Sequence, residues 1–311
     1  MNMSLLPSQL NRLEELHDSP HGFYNPGGGH MQYGRTTFVN SNEEPFFVKA
    51  HVPNAQVEAW RQDEMKYFLE KEYRLYIHLQ DQSYPNIPNS VIMDANMLIM
   101  DGLISETGWH WRAPRNPDSF EQYVGDVLAA LNGLSRVAMH DRLPEDEISL
   151  DIFYNFGWDK LNDIDIQEIV TNGIKRWSTS LLPQDVETAH ALPETPELAV
   201  KRADIVPSVL NHHDARQANI AWHPKHGVKI VDWSWAEEGL INGDSTMFLL
   251  DLAKAGHDIS SYMDQFNPTY AKLVLGYWLN RSQTSHPEGH DVVRMHQFIS
   301  ALKAARLLLN S

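Results

Sequence analysis

Between Pro207 and Ala236 the chain reads PSVLNHHDARQANIAWHPKHGVKIVDWSWA, which places His212, Asp214, Asn219 and Asp232 along one loop and a short hairpin. An aspartate, an asparagine five residues on, and a second aspartate ending an apolar stretch form a set suited to phosphoryl transfer. In that chemistry one carboxylate accepts the proton of the attacking hydroxyl. An asparagine and a second carboxylate hold the magnesium ions that bridge the phosphates of ATP. Hard oxygen donors of this kind suit magnesium.

Such side chains need elements to bring them together. The first 20 residues read as a short amphipathic helix, with Leu10, Leu13 and Leu16 at near-helical spacing. The segments HGFYNPGGGHMQYG, RTTFVNS and PFFVKAHV read as glycine turns and β-prone runs, giving two or three antiparallel strands. A helical pattern covers about 55–79, and two short strands are expected near 90–93 and 97–100. Asp101-Gly102 breaks the pattern and divides the chain into an N-terminal lobe, 1–102, and a C-terminal lobe, 103–311. Helices are expected near 118–139, 161–178, 195–204, 245–256, 260–281 and 289–309. Strands at about 219–222 and 228–233, joined by a His223–Gly227 turn, interrupt them. The expected fold class is α+β and bilobal, with a β-rich N-lobe carrying one long helix and a larger, mostly helical C-lobe.

Composition sets the outer limits. At 311 residues, 42% apolar and 21% charged, the chain is that of an ordinary soluble protein. It has no apolar run long enough to span a membrane. The first residues lack the basic and apolar regions of a secretory signal. With no cysteine there are no disulfides or thiolate metal sites, which fits a cytoplasmic protein. A formal charge of −16 argues against nucleic acid and anionic membranes as partners and favours a small, cationic one.

The segment VLNHHDARQANIAW…VKIVDWSWA, followed by GDSTMFLLDLA, resembles the aminoglycoside phosphotransferase and choline kinase group of small-molecule kinases, which have a protein-kinase-like fold. The resemblance is tight over 207–253 and touches most of 23–255. It implies that Asp214 is the catalytic aspartate, that Asn219 and Asp232 are magnesium ligands, and that His212 fixes the loop. Asp251, read as lying near a helix N-terminus, braces that loop. Two positions depart from the family pattern. His213 stands where glycine or arginine is usual, and Arg216 where histidine is frequent. Arg216 is expected to reach a phosphate oxygen or, equally, to brace the loop by a salt bridge.

Upstream, Phe46-Phe-Val-Lys49-Ala50 resembles the kinase strand whose lysine holds the α- and β-phosphates, with Glu72 as its helix partner and Glu70 as the fallback. Met97–Leu103 resembles the strand and hinge of the adenine pocket. Met100 would form a wall of that pocket, and the backbone of Asp101 and Leu103 would meet the base. No G-x-G-x-x-G occurs, so Pro26-Gly27-Gly28-Gly29 is the candidate phosphate loop, with Gly28 and Gly29 nearest the nucleotide. Val127–His140 resembles the family's long helix ending in Leu-His.

The implied activity is transfer of the ATP γ-phosphate to a hydroxyl of a small molecule such as an aminoglycoside, amino sugar or choline-like alcohol. Trp109, Trp111, Trp158, Trp233 and Trp235, with Glu237 and Glu238, are available to line the acceptor site. Two rivals stand beside this reading. One is a nucleotide-binding pseudokinase of the same fold. The other is an HD-type metal phosphohydrolase using His140-Asp141, His213-Asp214 and Asp232, whose ligands should project from helices.

Overall fold

The computed structural model describes residues 5–18, 20–24, 33–54, 58–138, 149–161, 166–284 and 291–310. Pro26–Gly29, the candidate phosphate loop, and the His140-Asp141 pair lie outside them. The chain forms two compact units, residues 1–130 with 218–234, and residues 131–217 with 235–311.

The first unit is built on an antiparallel sheet of five strands in the order β1-β2-β3-β5-β4. These are β1 His21–Tyr24, β2 Gly34–Val39, β3 Pro45–Ala50, β4 Val91–Asp94 and β5 Met97–Asp101. Branched and aromatic residues in RTTFV and PFFVK favour the extended backbone. Ala95 and Asn96 close the β4–β5 hairpin, both with positive φ, as a tight two-residue turn requires. Side chains alternate across β3. Phe46, Val48 and Ala50 join Phe38, Met97 and Ile99 in a core closed by Leu5 and Leu13, the latter from helix α1, Pro7–Leu16. That alternation sends Lys49 to the opposite face, where it pairs across to Leu98. Helix α2, Ala59–Asp81, buries Met65, Leu69, Leu75, Tyr76 and Leu79, and with them the charged Glu72. Helix α3, Pro117–Leu134, follows, and the division between the units falls within it. The hairpin of β7, Ile220–His223, and β8, Gly227–Ile230, belongs to the first unit although it comes much later in the chain.

The second unit is mainly helical. It contains α4 Ser149–Asn155, α5 Trp158–Leu161, α6 Ile166–Trp177, α7 Pro183–Ala191, α8 Gly243–Lys254, α9 Pro268–Gln283 and α10 Asp291–Leu309. Two three-residue strands, β6 Val209–Asn211 and β9 Glu237–Gly239, pair antiparallel beside them. Three expectations need correction. Residues 195–204 form only short 3₁₀ turns, at 196–198 and 202–204, where Pro196 occupies a first-turn position. The helix expected from 260 begins at Pro268, because Asn267 caps it by accepting the Tyr270 N–H and proline suits the first helical position. The strand expected to reach 233 stops at Ile230, which leaves Asp232 beyond it. No described helix is long and apolar enough to cross a membrane.

Candidate active site

In the first unit one lysine joins two carboxylates. Lys49 Nζ lies 2.6 Å from Glu72 Oε2 and 2.8 Å from Asp232 Oδ1. The Lys49 and Glu72 side chains are 4% and 1% exposed, whereas Asp232 keeps 35%, so only the last opens to solvent. Burial alone would pull the Lys49 ammonium down. The carboxylates of Asp232 and Glu72 outweigh it and hold the lysine above its ordinary range. Burial pushes the Glu72 carboxyl up, against the pull of Lys49.

Two tyrosines to which the sequence gives no site role complete the surroundings. The Tyr33 ring lies 4.9 Å from Lys49 Nζ, at cation–π range, and its hydroxyl donates to the Met65 carbonyl at 2.6 Å. Tyr76, fully buried, donates to Met100 Sδ at 3.8 Å and lies against Glu72. Burial first, then the carboxylates of Glu72 and Asp232, raises its phenol well above the usual range. Neither tyrosine stands in a motif, and the helical period marks Tyr76 only as an apolar position of α2.

Asn219 and Asp232 are brought together by hairpin register. Ile220 faces Ile230, and the pairing extends one step further, with the Asn219 carbonyl accepting the Val231 N–H at 3.0 Å. Asn219 is therefore fixed beside the residue preceding Asp232. Asp232 has φ +68°, a left-handed conformation that a non-glycine residue adopts at some cost. The next residue anchors it: Trp233 is fully buried, packs edge-on against Tyr76 and Tyr84, and donates Nε1–H to the Ile230 carbonyl at 3.0 Å. An amide oxygen and a partly exposed carboxylate are a donor set that fits magnesium.

At the hinge segment, Met100 is 4% exposed. The Asp101 carboxylate accepts the Asn89 N–H at 2.8 Å, and the Leu103 carbonyl accepts the Trp111 indole N–H at the same distance. Gly102 donates its N–H to the Pro45 carbonyl, and a Cβ there would lie 2.7 Å from the Pro45 carbonyl carbon. Only glycine permits that approach.

In the second unit the loop after β6 is held by carboxylates from α8. Asp244 Oδ2 accepts the His212 N–H at 2.7 Å, and Oδ1 accepts the His213 N–H at 2.9 Å. The Gly243-Asp244 pair is visible as a motif, but the sequence assigns it no role. Asp251 Oδ2 accepts from both Gln217 N and Gln217 Nε2 at 3.1 Å. It does so from the last turn of α8, not from the N-terminal region expected. His212, fully buried, accepts the Asp214 N–H on Nδ1 at 3.2 Å.

His213 has φ +62°, the left-handed region that glycine adopts freely and a histidine only at some cost. The histidine offsets its strain through its ring. Nε2 lies 3.1 Å from the Glu238 carbonyl and Nδ1 3.2 Å from the Tyr270 hydroxyl. A carbonyl only accepts, so Nε2 carries the proton and Nδ1 accepts from Tyr270. Phe153 stands edge-on to His213 and stacks on Trp235. Arg216 turns back on Asp214, with Nε and Nη2 meeting Oδ1 and Oδ2 at 2.5 and 2.8 Å.

Several expected acceptor residues are engaged elsewhere. Trp233 is core, and Trp158 is buried with its Nε1–H on the Lys272 carbonyl. Glu237 is buried within β9. The HD arrangement also loses its helical context, since Asp214 follows β6 in a loop and Asp232 follows β8. Among the described residues no group of three or more His, Asp or Glu side chains is arranged to hold a metal. His223 accepts the Lys225 and His226 N–H groups on Nδ1 and pins the hairpin turn.

No protein-family profile and no curated protein matches this sequence. Solved structures match its fold. A choline kinase from Streptococcus pneumoniae superposes with a TM-score of 0.55 at 11% identity, covering 95% of this chain and 97% of that one. An aminoglycoside phosphotransferase from Alicyclobacillus acidocaldarius gives 0.54 at 11% identity, with 100% and 96% covered. A thermostable mutant of an aminoglycoside phosphotransferase, solved in ternary complex with ADP and hygromycin B, gives 0.56 at 11% identity, with 95% and 97% covered. The chain thus has the protein-kinase-like α+β fold of the small-molecule kinases, with a smaller β-rich part and a larger helical part.

Proposed function

We propose that this protein is an ATP-dependent kinase that phosphorylates a hydroxyl of a small molecule. The observation that carries the reading is Lys49, buried and bridging Glu72 and Asp232. A cation so placed is oriented for the α- and β-phosphates of a nucleotide, and Glu72 fixes its direction. Met100 and the backbone of Asp101 and Leu103 would receive the adenine, and Gly28 and Gly29 would cover the phosphates. Asn219 and Asp232 would hold magnesium, which when bound neutralises charge developing on the phosphates.

Asp214 is the base of the reaction. It orients the acceptor hydroxyl and takes its proton as that oxygen forms the bond to the γ-phosphorus and the bond to the β-phosphate oxygen breaks. His212 and Asp244 hold the Asp214 backbone in place, so that positioning contributes to the rate. Two solved relatives in fold are a choline kinase and an aminoglycoside phosphotransferase holding ADP and hygromycin B, which supports a nucleotide and a small acceptor here. The acceptor class favoured from the chain's acidity is a cationic alcohol or amino sugar, and the absence of cysteine suits the cytoplasm.

The test is ADP release from Mg-ATP across a panel of alcohols, amino sugars and hydroxy acids, with Asp214→Asn as control. Acceptor-dependent release in wild type, lost in Asp214→Asn, is expected. Tight Mg-ATP binding with no turnover on any acceptor would leave a nucleotide-binding protein and end the kinase reading.

A further inference from the structure

The geometry of Arg216 bears on how the proposed base is reached. A fork of two charge-assisted hydrogen bonds occupies both oxygens of Asp214, and the Arg216 N–H donates to the Asp214 carbonyl at 2.8 Å, which tightens the bend. A bidentate guanidinium takes the two syn lone pairs and leaves an incoming hydroxyl only the less basic anti ones. The pair is not locked by burial, since the Arg216 and Asp214 side chains keep 40% and 25% of their exposure. The Asp251 carboxylate, which holds the same loop from α8, is already taken by Gln217 and, at 3.5 Å, by Lys254. Arg216 leaving Asp214 gives up two strong hydrogen bonds, which an acceptor can replace.

Resting on the kinase reading, we infer that Arg216 is a gate on Asp214. It closes the base to water and yields to acceptors that carry a second oxygen, from a carboxylate, carbonyl or neighbouring hydroxyl, beside the hydroxyl that reacts. Such an acceptor exchanges hydrogen bonds nearly one for one: its hydroxyl takes Asp214 and its second oxygen takes the guanidinium. A single water offers one bond to the Asp214 carboxylate in place of the two of the fork, and competes poorly with it. The side reaction suppressed is hydrolysis, in which a water oxygen bonds to the γ-phosphorus, its proton passes to Asp214 and ADP leaves. Arg216 acts here as a positioning residue for the base, and through it on specificity.

The experiment measures ADP release from Mg-ATP without acceptor in wild type, Arg216→Ala, Arg216→Lys and Arg216→Ala combined with Asp214→Asn. Opening the gate should raise hydrolysis about tenfold in Arg216→Ala, the scale of a lost charged hydrogen bond. Arg216→Lys, which keeps the charge but not the fork, should give a smaller rise, and the double variant should lose the gain. Preference for a diol or hydroxy acid over the matching mono-alcohol should narrow in Arg216→Ala. Hydrolysis that stays level or falls in Arg216→Ala overturns the gate.

A turnover-independent arm follows the Arg216 Nε–H by NMR of isotope-labelled arginine. Slow solvent exchange in wild type and fast exchange in Asp214→Asn supports the fork. Equal exchange in both removes the gate while leaving the kinase reading intact. An intact fork in a protein that never turns ATP over sinks the kinase reading, and the gate with it.

Discussion

The two clusters that carry the candidate chemistry are held by opposite means. In the first unit Lys49, Glu72 and Asp232 are fixed charge against charge, with Lys49 and Glu72 almost wholly out of water. In the second unit the Asp214 loop is fixed through its backbone, whose N–H groups at His212, His213 and Gln217 all end on carboxylates of α8. A charge network tolerates no missing partner, because the charge left behind has no water to turn to. A backbone clamp is more forgiving and does not itself restrain the Asp214 side chain, which instead meets the part-exposed fork of Arg216.

The largest expected effect separates the two regions by function. Asp214→Asn should lower acceptor-dependent turnover about a hundred- to ten-thousandfold, the range of general-base catalysis, with little change in Mg-ATP affinity. Loss of nucleotide affinity instead would break the proposed division of labour. Next, Glu72→Ala should destabilise the protein by about 3–5 kcal/mol in urea titration, as expected when one partner of a buried ion pair is removed. A change no larger than that of a surface pair would show that Lys49 is satisfied by Asp232 alone. Asp244→Ala should cost about 2–3 kcal/mol, since it strips two buried N–H groups of their acceptor, and Asp244→Asn should restore part of it.

The smallest effect is a pH dependence confined to the first unit. His51 is 2% exposed, and neither ring nitrogen has a hydrogen-bond partner among the described residues. Burial first, and Lys66 second, holds its imidazole below the ordinary 6.5, with Asp63 pulling the other way. Because the folded value lies below the unfolded one, the stability from the neutral ring is present above 6.5 and is lost as pH falls through the folded value. His51→Phe should reduce the loss of stability between neutral and mildly acidic pH, read from urea midpoints. An unchanged slope would assign acid sensitivity to other groups.

Much of the fold was legible because its signals are local. RTTFV and PFFVKA announce strands by composition, and the alternation that buries Val48 also sends Lys49 to the other face. The helical period that buries Leu69, Tyr76 and Leu79 also carries Glu72 inward. The second unit was harder to read. Helices α4, α5 and α7 and strands β6 and β9 are short, and a few residues do not establish a period. The expected helix at 195–204 failed for a related reason, as Pro196 sits at the start of a turn that the next residues do not propagate.

By itself the sequence determined the order and type of the chemical groups: a lysine ending a strand, a glutamate inside a helix, then Asp214, Asn219 and Asp232 at fixed spacing. Only the tertiary structure decided what each group touches. It put left-handed backbone at His213 and Asp232, gave two loop N–H groups to Asp244 and folded Arg216 onto Asp214. The physical reason is one of range. Periodicity and propensity act over a few residues, whereas hydrogen bonds such as Asp244 to the His212 N–H and Lys49 to Asp232 close across 32 and 183 positions, and only packing selects their partners.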